Sequence, residues 1–242
     1  MRMFEWESDM VRFMRDASEH TEYHGRLADC IVDAAGGPQR AASMHVCDAG
    51  CGLGYLSLAL AARFAQVTAV DIAEEPLSVL RENAARRCIS NLTVCRADMR
   101  RLPEEMHFDV VVFCLFGSAE EAIAMARGRA EQIILIQKSD RDRCFSLGRE
   151  DGAAAGKAGG QSGCSGVQCD VRSVTLRLDQ PIRSVEDGIR FFTLYGCRDG
   201  EAQVTRGEAL LRMQATGDSE FPYLIPAQRQ LSILRMIPQF SG

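Results

Sequence analysis

Val46-Cys47-Asp48-Ala49-Gly50-Cys51-Gly52-Leu53-Gly54 is the most informative segment of this 242-residue chain. An apolar run ends in it, and an Ala/Leu-rich run over residues 55–64 follows, so the pattern predicts a strand, a glycine turn and a helix. Glycines permit a tight turn and let a ligand approach the backbone, since no Cβ intervenes. The N–H groups at the helix start add a polar edge. The segment therefore predicts a ligand-binding turn, the alternative being a turn that serves compactness only.

Strand and helix signals alternate along the chain after this turn. The first strand covers residues 45–49, further strands are predicted at 66–71, 92–98, 108–115 and 132–138, and helices at 55–64, 75–87 and 119–128. This rhythm indicates right-handed βαβ units in a doubly wound, mostly parallel sheet. Later signals predict a strand at 171–178, a helix at 184–195 capped by Ser184, and a final strand at 230–237.

Three regions are predicted from these elements. Residues 1–40 carry apolar residues at helical spacing and form an N-terminal helical segment, a candidate lid or substrate element. Residues 41–140 form the cofactor-binding core. Residues 141–242 complete the sheet and the substrate region, and include a flexible loop at 152–166 that consists almost entirely of small residues.

Composition narrows the functional classes. The formal net charge is −5 and no block of like charges occurs, which disfavours nucleic-acid binding. The ten cysteines are scattered without a Cys-x-x-Cys pair, which favours reduced thiols over disulfides or a metal site. No apolar run approaches the roughly 20 residues of a membrane span. Because the N-terminus is charged rather than apolar, we expect a cytoplasmic protein.

Acidic residues after successive strands suggest the ligand. Dinucleotide folds use Gly-x-Gly-x-x-Gly, whereas this turn has Gly-x-Gly-x-Gly, and its Asp48 would repel a pyrophosphate. S-adenosylmethionine fits, because it has a cationic end and no phosphate. Asp71 can accept hydrogen bonds from the ribose hydroxyls and Asp98 from the adenine amino group, with Ile72 and Met99 flanking the ring. Each aspartate alone is also typical of a turn or a helix cap.

Four segments resemble motifs of the class I methyltransferases. VCDAGCGLGYLSLALA resembles the first motif, QVTAVDIAEEPL the second, LTVCRADMRRLP the adenine-contacting segment and FDVVVFCLFG the strand that faces the methyl group. The resemblance covers roughly residues 20–138. It implies a seven-stranded sheet whose last strand is antiparallel, and a cofactor, S-adenosylmethionine. The candidate cofactor-binding residues are Asp48, Ala49, Gly50, Cys51, Gly52, Gly54, Asp71, Ile72, Asp98, Met99 and Phe113.

Catalytic residues are harder to assign than the cofactor site. If the acceptor is a hydroxyl, a general base helps, and the candidates are His20, Tyr23 and His24, although each His also suits a surface or capping role. Three aromatic residues can form a wall against the sulfonium or pack as ordinary helix residues: Phe4, Trp6 and Phe13. Cys114 lies in an apolar strand, which favours an inert core thiol over a nucleophile.

The acceptor is left open by the sequence. Cys114-Leu115-Phe116-Gly117-Ser118 replaces the Asn/Asp-Pro-Pro-Tyr motif of enzymes that methylate amino groups of bases or glutamine. Late aromatic residues supply acceptor-pocket material or pack at the sheet edge: Phe191, Phe192, Tyr195, Phe221 and Tyr223. The leading hypothesis is a small-molecule O-, N- or C-methyltransferase. The alternatives are an RNA or protein methyltransferase, a non-catalytic adenosylmethionine-binding protein and, last, an NAD-dependent dehydrogenase.

Overall fold

The structure is a computed structural model that describes residues 7–103, 105–139, 142, 144–145, 167–196 and 204–238. Its helices are α1 (Ser8–His20), α2 (Tyr23–Ala35), α3 (Pro38–Ala41), α4 (Tyr55–Ala61), α5 (Glu74–Arg86), α6 (Ala119–Ala126), α7 (Val185–Tyr195) and α8 (Arg206–Arg212). Its strands are β1 (His45–Ala49), β2 (Gln66–Asp71), β3 (Leu92–Arg96), β4 (Phe108–Cys114), β5 (Ala130–Lys138), β6 (Val167–Arg177), β7 (Gln180–Ile182), β8 (Gln214–Ala215), β9 (Tyr223–Ile225) and β10 (Gln228–Pro238). The predicted loop at 152–166 lies outside the described residues, as do Phe4 and Trp6.

A seven-stranded sheet dominates the described residues, in the order β3-β2-β1-β4-β5-β10-β6. β1 pairs in parallel with β2 and β4, β3 with β2, and β5 with β4, whereas β10 pairs antiparallel with β5. The predicted fold class, a doubly wound and mostly parallel sheet with an antiparallel last strand, is confirmed. The last strand lies between β5 and β6 rather than at the edge, an arrangement that the sequence pattern did not predict.

Local signals explain most of the element boundaries. The apolar run Phe108–Cys114 forms β4, whose residues 110–113 are fully buried, as expected of a strand covered on both faces. Ser118 caps α6 through a reciprocal capping box with Glu121, and Ser184 caps α7 as predicted. Three predicted elements extended two or three residues too far: α4 ends at Ala61 rather than residue 64, β3 at Arg96 rather than residue 98, and α6 at Ala126 rather than residue 128.

The chain divides into two compact units. The large unit contains the described residues of His24–Ser139, Gln161–Val174 and Leu231–Gly242. The small unit contains those of Met1–Tyr23, Asp140–Gly160 and Thr175–Gln230. The predicted N-terminal helical segment contains α1 and α2, but α1 belongs to the small unit and nearly all of α2 to the large one. The predicted regions with boundaries at residues 40 and 140 stay a prediction.

The small unit has its own hydrophobic core. Phe13 of α1 packs edge-on against Phe191 of α7, with 5.1 Å between ring centroids, and Phe145 meets the same ring at 4.7 Å. Arg12 donates to both carboxylate oxygens of Asp187, at 3.0 and 2.5 Å. A three-stranded antiparallel sheet, β7-β9-β8, completes the unit. The sequence pattern predicted neither this sheet nor α8.

Candidate functional site

Three carboxylates lie at the carboxyl ends of three neighbouring strands. Asp48 is the penultimate residue of β1, Asp71 is the last residue of β2, and Asp98 follows β3 by two residues. Because β3, β2 and β1 are adjacent and parallel, these ends meet at one edge of the sheet. Open α/β sheets bind their ligands at this edge.

The glycine turn between β1 and α4 has the backbone that glycine favours. Gly50, Gly52 and Gly54 have φ of +72°, +53° and +72°. The N–H groups of Gly50 and Cys51 both donate to the carbonyl oxygen of Val70, at 2.8 and 3.1 Å, which ties the turn to β2. The turn therefore has a fixed shape and presents bare backbone at the edge where the carboxylates lie.

Asp71 orients the turn and retains unused hydrogen-bonding capacity. Its Oδ2 accepts from the N–H of Gly52 at 2.9 Å, and its Oδ1 accepts from the N–H of Ala73 at 2.9 Å. A carboxylate offers about four acceptor positions, so about two remain for a pair of ligand hydroxyls. The half-buried side chain is thus held in place while part of it can still face a ligand.

Asp48 lies within β1, paired with Ala69 and Val112, rather than inside the turn as expected. Its side chain is buried, and Ser57 Oγ donates to Oδ2 at 2.5 Å. Burial raises the pKa of Asp48 to about 6; the hydrogen bond from Ser57 opposes this shift and the charge of Asp71 adds to it. Asp48 therefore lies behind the turn. Because its pKa is about 6, its charge changes with pH just below neutrality.

Asp98 and its neighbours present both polar and apolar surface. Asp98 caps a short 3-10 helix, Met99–Arg101, by accepting from the N–H of Arg100 at 3.0 Å, and its side chain is 38% exposed. Ile72 is 47% exposed, whereas Met99 is only 4% exposed in the core. Of the two residues expected to flank an adenine ring, Ile72 alone offers a substantial surface.

The other expected cofactor contacts differ in accessibility. Ala49 and Phe113 are fully buried, so the side chain of Phe113 offers no surface to a ligand. Burial, reinforced by the charges of Asp48 and Asp71, raises the pKa of the half-buried Cys51 thiol, which is therefore uncharged. Gly54 is buried against α5 and shapes the turn from behind.

The aromatic ring available at the end of β4 is Phe116, which the sequence reasoning missed. Its ring stacks against that of Phe113, with centroids 6.1 Å apart and planes 17° apart. A Cβ built on Gly50 would lie 3.0 Å from Phe116 Cγ, so the ring packs directly on the glycine turn. The available signal was an aromatic residue between the end of a buried strand and a glycine. Leu115, next to it, has a left-handed backbone with φ of +55°, which costs roughly 1–2 kcal/mol in a residue other than glycine.

The three candidate bases are divided between the units. His24 belongs to the large unit and lies near the Tyr55 ring, with centroids 5.9 Å apart. Burial lowers the pKa of His24 to about 4, which makes it a weak base at neutral pH. Tyr23 is 6% exposed. His20 is exposed on the small unit, where its ring meets that of Phe221 at 4.4 Å.

Several aromatic residues for which the sequence left a site role and a packing role open pack in or against the core of the small unit. Phe13 is 1% exposed, and Phe191 and Phe192 are 1% and 0% exposed in the core of the small unit. Tyr195 packs against Phe191 at 4.9 Å. These residues lie in the core because α1 and α7, which are far apart in the sequence, pack together in the small unit.

No group of three or more His, Cys, Asp or Glu side chains among the described residues is placed to hold a metal ion. No helix in the part of the chain that the structure describes is long and apolar enough to cross a bilayer.

Residues 46–134 match a protein family described as "Methyltransferase domain". The matched segment contains the glycine turn and all three carboxylates. This segment is a methyltransferase domain, and its cofactor is S-adenosylmethionine. No curated protein sequence matches this methyltransferase significantly.

Solved structures resemble this methyltransferase in fold. YcgJ from Bacillus subtilis has a TM-score of 0.54 at 14% identity, covering 91% of this chain and 100% of its own. Coclaurine N-methyltransferase, solved with N-methylheliamine and SAH, has a TM-score of 0.51 at 16% identity, covering 88% of this chain and 72% of its own. At such identities the likeness shows the fold, which agrees with the order of strands in the large sheet.

Proposed function

We infer that this methyltransferase transfers the methyl group of S-adenosylmethionine to a small-molecule acceptor. The observation that carries this inference is the apolar surface that follows β4 at the carboxyl edge of the sheet. Leu115 is 46% exposed there, beside the half-buried ring of Phe116. Burying such a surface favours an acceptor with an apolar face.

The donor site that we infer uses the carboxylates at the strand ends. Asp71 accepts from the ribose hydroxyls with its remaining acceptor positions, and Asp98 accepts from the adenine amino group. Ile72 lies against the ring. Asp48 contributes negative charge behind the turn, toward the cationic part of the donor. The fixed hydrogen bonds of Asp71 and the exposure of Asp98 and Ile72 support these roles.

The remaining inferred contacts come from the turn itself. Its three glycines leave the backbone bare where a ligand approaches, and Ala49 and Cys51 contribute backbone rather than side chain. A cradle of this kind is consistent with a donor that has no phosphate, because the nearby carboxylates would repel one.

Alignment and exclusion of water are the main contributions that we assign to the chain's own residues. The donor, when bound, supplies a methyl group on positively charged sulfur. Such a group needs an acceptor atom held in line with it more than it needs further activation. His24 is a weak base at neutral pH because it is buried, so we do not assign it the role of general base.

An RNA acceptor is the competing possibility. The net charge of −5 and the absence of a block of basic residues in the sequence give little support to phosphate-backbone binding. We therefore treat methylation of RNA as an outcome that the experiment must be able to detect.

The donor site is tested with Asp71→Asn, which keeps the shape of the side chain but removes its charge and one acceptor oxygen. Calorimetry should show S-adenosylmethionine binding weakened by roughly 1–3 kcal/mol, the scale of a lost hydrogen bond to a charged group. Asp109→Asn is the matched control. Asp109 also accepts from a backbone N–H, that of His45 at 2.6 Å, but at the amino ends of β1 and β4. Equal losses in both variants would contradict the donor site.

The acceptor class is tested by supplying donor labelled in its methyl group. A panel of small apolar amines, phenols and carbon acids is compared with bulk RNA and a protein extract. Label transferred to members of the panel supports the small-molecule acceptor. Label found in RNA or protein, with none in the panel, would overturn it.

A further inference from the structure

The segment after β4 holds one aromatic ring against the glycine turn. Leu115 and Gly117 both have left-handed backbones, with φ of +55° and +73°, on either side of Phe116. The Leu115 N–H donates to the carbonyl oxygen of Ile136 at 2.8 Å, and Gln137 Nε2 donates to the carbonyl oxygen of Gly117 at 3.3 Å. Two hydrogen bonds to β5 thus hold a bend that the chain would not adopt without cost.

Burial of the Leu115 side chain does not offset the cost of its left-handed backbone, because that side chain is 46% exposed. The bend instead fixes the position of the neighbouring Phe116 ring. Phe116 stacks on Phe113 and lies within 3.0–3.4 Å of the point where a Cβ on Gly50 would stand. Strained backbone that persists in a structure is concentrated at ligand clamps and active sites.

The surroundings of this ring suit a positively charged ligand. The Phe116 ring packs on the turn between β1 and α4, and that turn is hydrogen-bonded to the carboxylate of Asp71 at its Gly52 N–H. Asp48 lies buried behind the same turn. A ring face attracts a cation electrostatically, and it attracts a neutral thioether more weakly.

We propose that Phe116 recognises the positive sulfur of the bound donor through its ring face. It thereby separates charged S-adenosylmethionine from SAH, the neutral product of methyl transfer. This rests on the donor site inferred above, and it assigns to Phe116 the role that the sequence suggested for Phe13. Phe13 is 1% exposed in the core of the small unit. Weaker holding of the neutral product would favour its exchange for fresh donor.

The test compares the affinities of Phe116→Leu and Phe116→Tyr for S-adenosylmethionine and for SAH by calorimetry. Leucine keeps the apolar volume without a π face, so the preference for the charged donor over SAH should fall roughly 2- to 30-fold. Tyrosine should keep the preference. Phe108→Leu is the matched control: it removes a buried ring at the amino end of β4, where Phe108 meets His45, and should leave the preference unchanged while lowering stability.

A second series of variants tests the same role of Phe116 if the leucine variant fails to fold. Phenylalanine analogues with one, two and three ring fluorines at position 116 keep the shape but weaken the negative ring face. Donor affinity should fall stepwise, and more steeply than SAH affinity. Equal changes for both ligands would overturn the role of Phe116 and leave the donor site standing. Failure of the unmodified protein to bind either ligand would overturn the donor site as well.

Discussion

Replacing Gly54 with alanine tests whether the glycine turn is shaped by its own backbone or by packing on α5. Gly54 has φ of +72°, and an added Cβ would lie 2.3, 2.5 and 2.7 Å from Cδ1, Cδ2 and Cγ of Leu80. Leu80 is fully buried, so its whole isobutyl group would have to move within the core. Both the backbone conformation and the space behind it therefore oppose any side chain.

The two effects give the expected magnitude. A left-handed backbone costs an alanine roughly 1–2 kcal/mol relative to glycine. Forcing an extra methyl group into a packed core typically costs a further ~1–3 kcal/mol. We expect Gly54→Ala to lower the free energy of unfolding by about 2–5 kcal/mol in total, a large share of the roughly 5–15 kcal/mol of an ordinary domain.

Urea unfolding with a matched control separates the two contributions. Gly128 also has φ of +72°, but nothing lies within 4 Å of its added Cβ, so Gly128→Ala should show only the backbone cost. In a Leu80→Ala background the clash disappears, and the cost of Gly54→Ala should fall to that of the control. Equal costs for the two glycines, or an undiminished cost in the Leu80→Ala background, would refute the packing argument.

Two further predictions concern titration and capping. Burial raises the pKa of Asp48 from 3.8 to about 6. Between these two pH values the folded state therefore binds more protons at Asp48 than the unfolded state does. The contribution of Asp48 to the free energy of unfolding consequently falls as the pH rises from about 3.8 to about 6. The free energy of unfolding of the wild type, minus that of Asp48→Asn, should decline by about 3 kcal/mol between pH 3.5 and 7; a flat difference would contradict the shift. Ser184 accepts from the N–H of Asp187 at 3.1 Å, so Ser184→Ala should cost about 1 kcal/mol in urea unfolding. Thr193→Ala, on the exposed side of the same helix, should cost less, and an equal loss would count against the cap.

Much of the site could be predicted because its signals are local. The glycines at positions 50, 52 and 54 follow an apolar strand, and their positive φ values are what such a spacing permits. Asp71 ends β2 and Asp98 follows β3 by two residues, so parallel pairing alone brings them to one edge. The exposure of individual side chains could not be predicted from local sequence: Met99 and Phe113 are apolar residues suited to contact a cofactor, but both are buried.

The aromatic residues show what the sequence could not assign. Phe13 and Phe191 are 178 positions apart, and only the packing of α1 in the small unit brings their rings together. Phe116 lies three residues from Phe113, yet the left-handed backbone of Leu115 decides which of the two rings reaches the turn.

The sequence by itself determined the alternation of strands and helices, the glycine turn and the strand-end carboxylates, because each depends on backbone preference and hydrophobic period over a few residues. Tertiary structure alone decided the place of β10 between β5 and β6, the separate core of the small unit and the choice of Phe116 over Phe113. Those outcomes depend on which distant apolar surfaces bury one another, and a local pattern does not specify its partner.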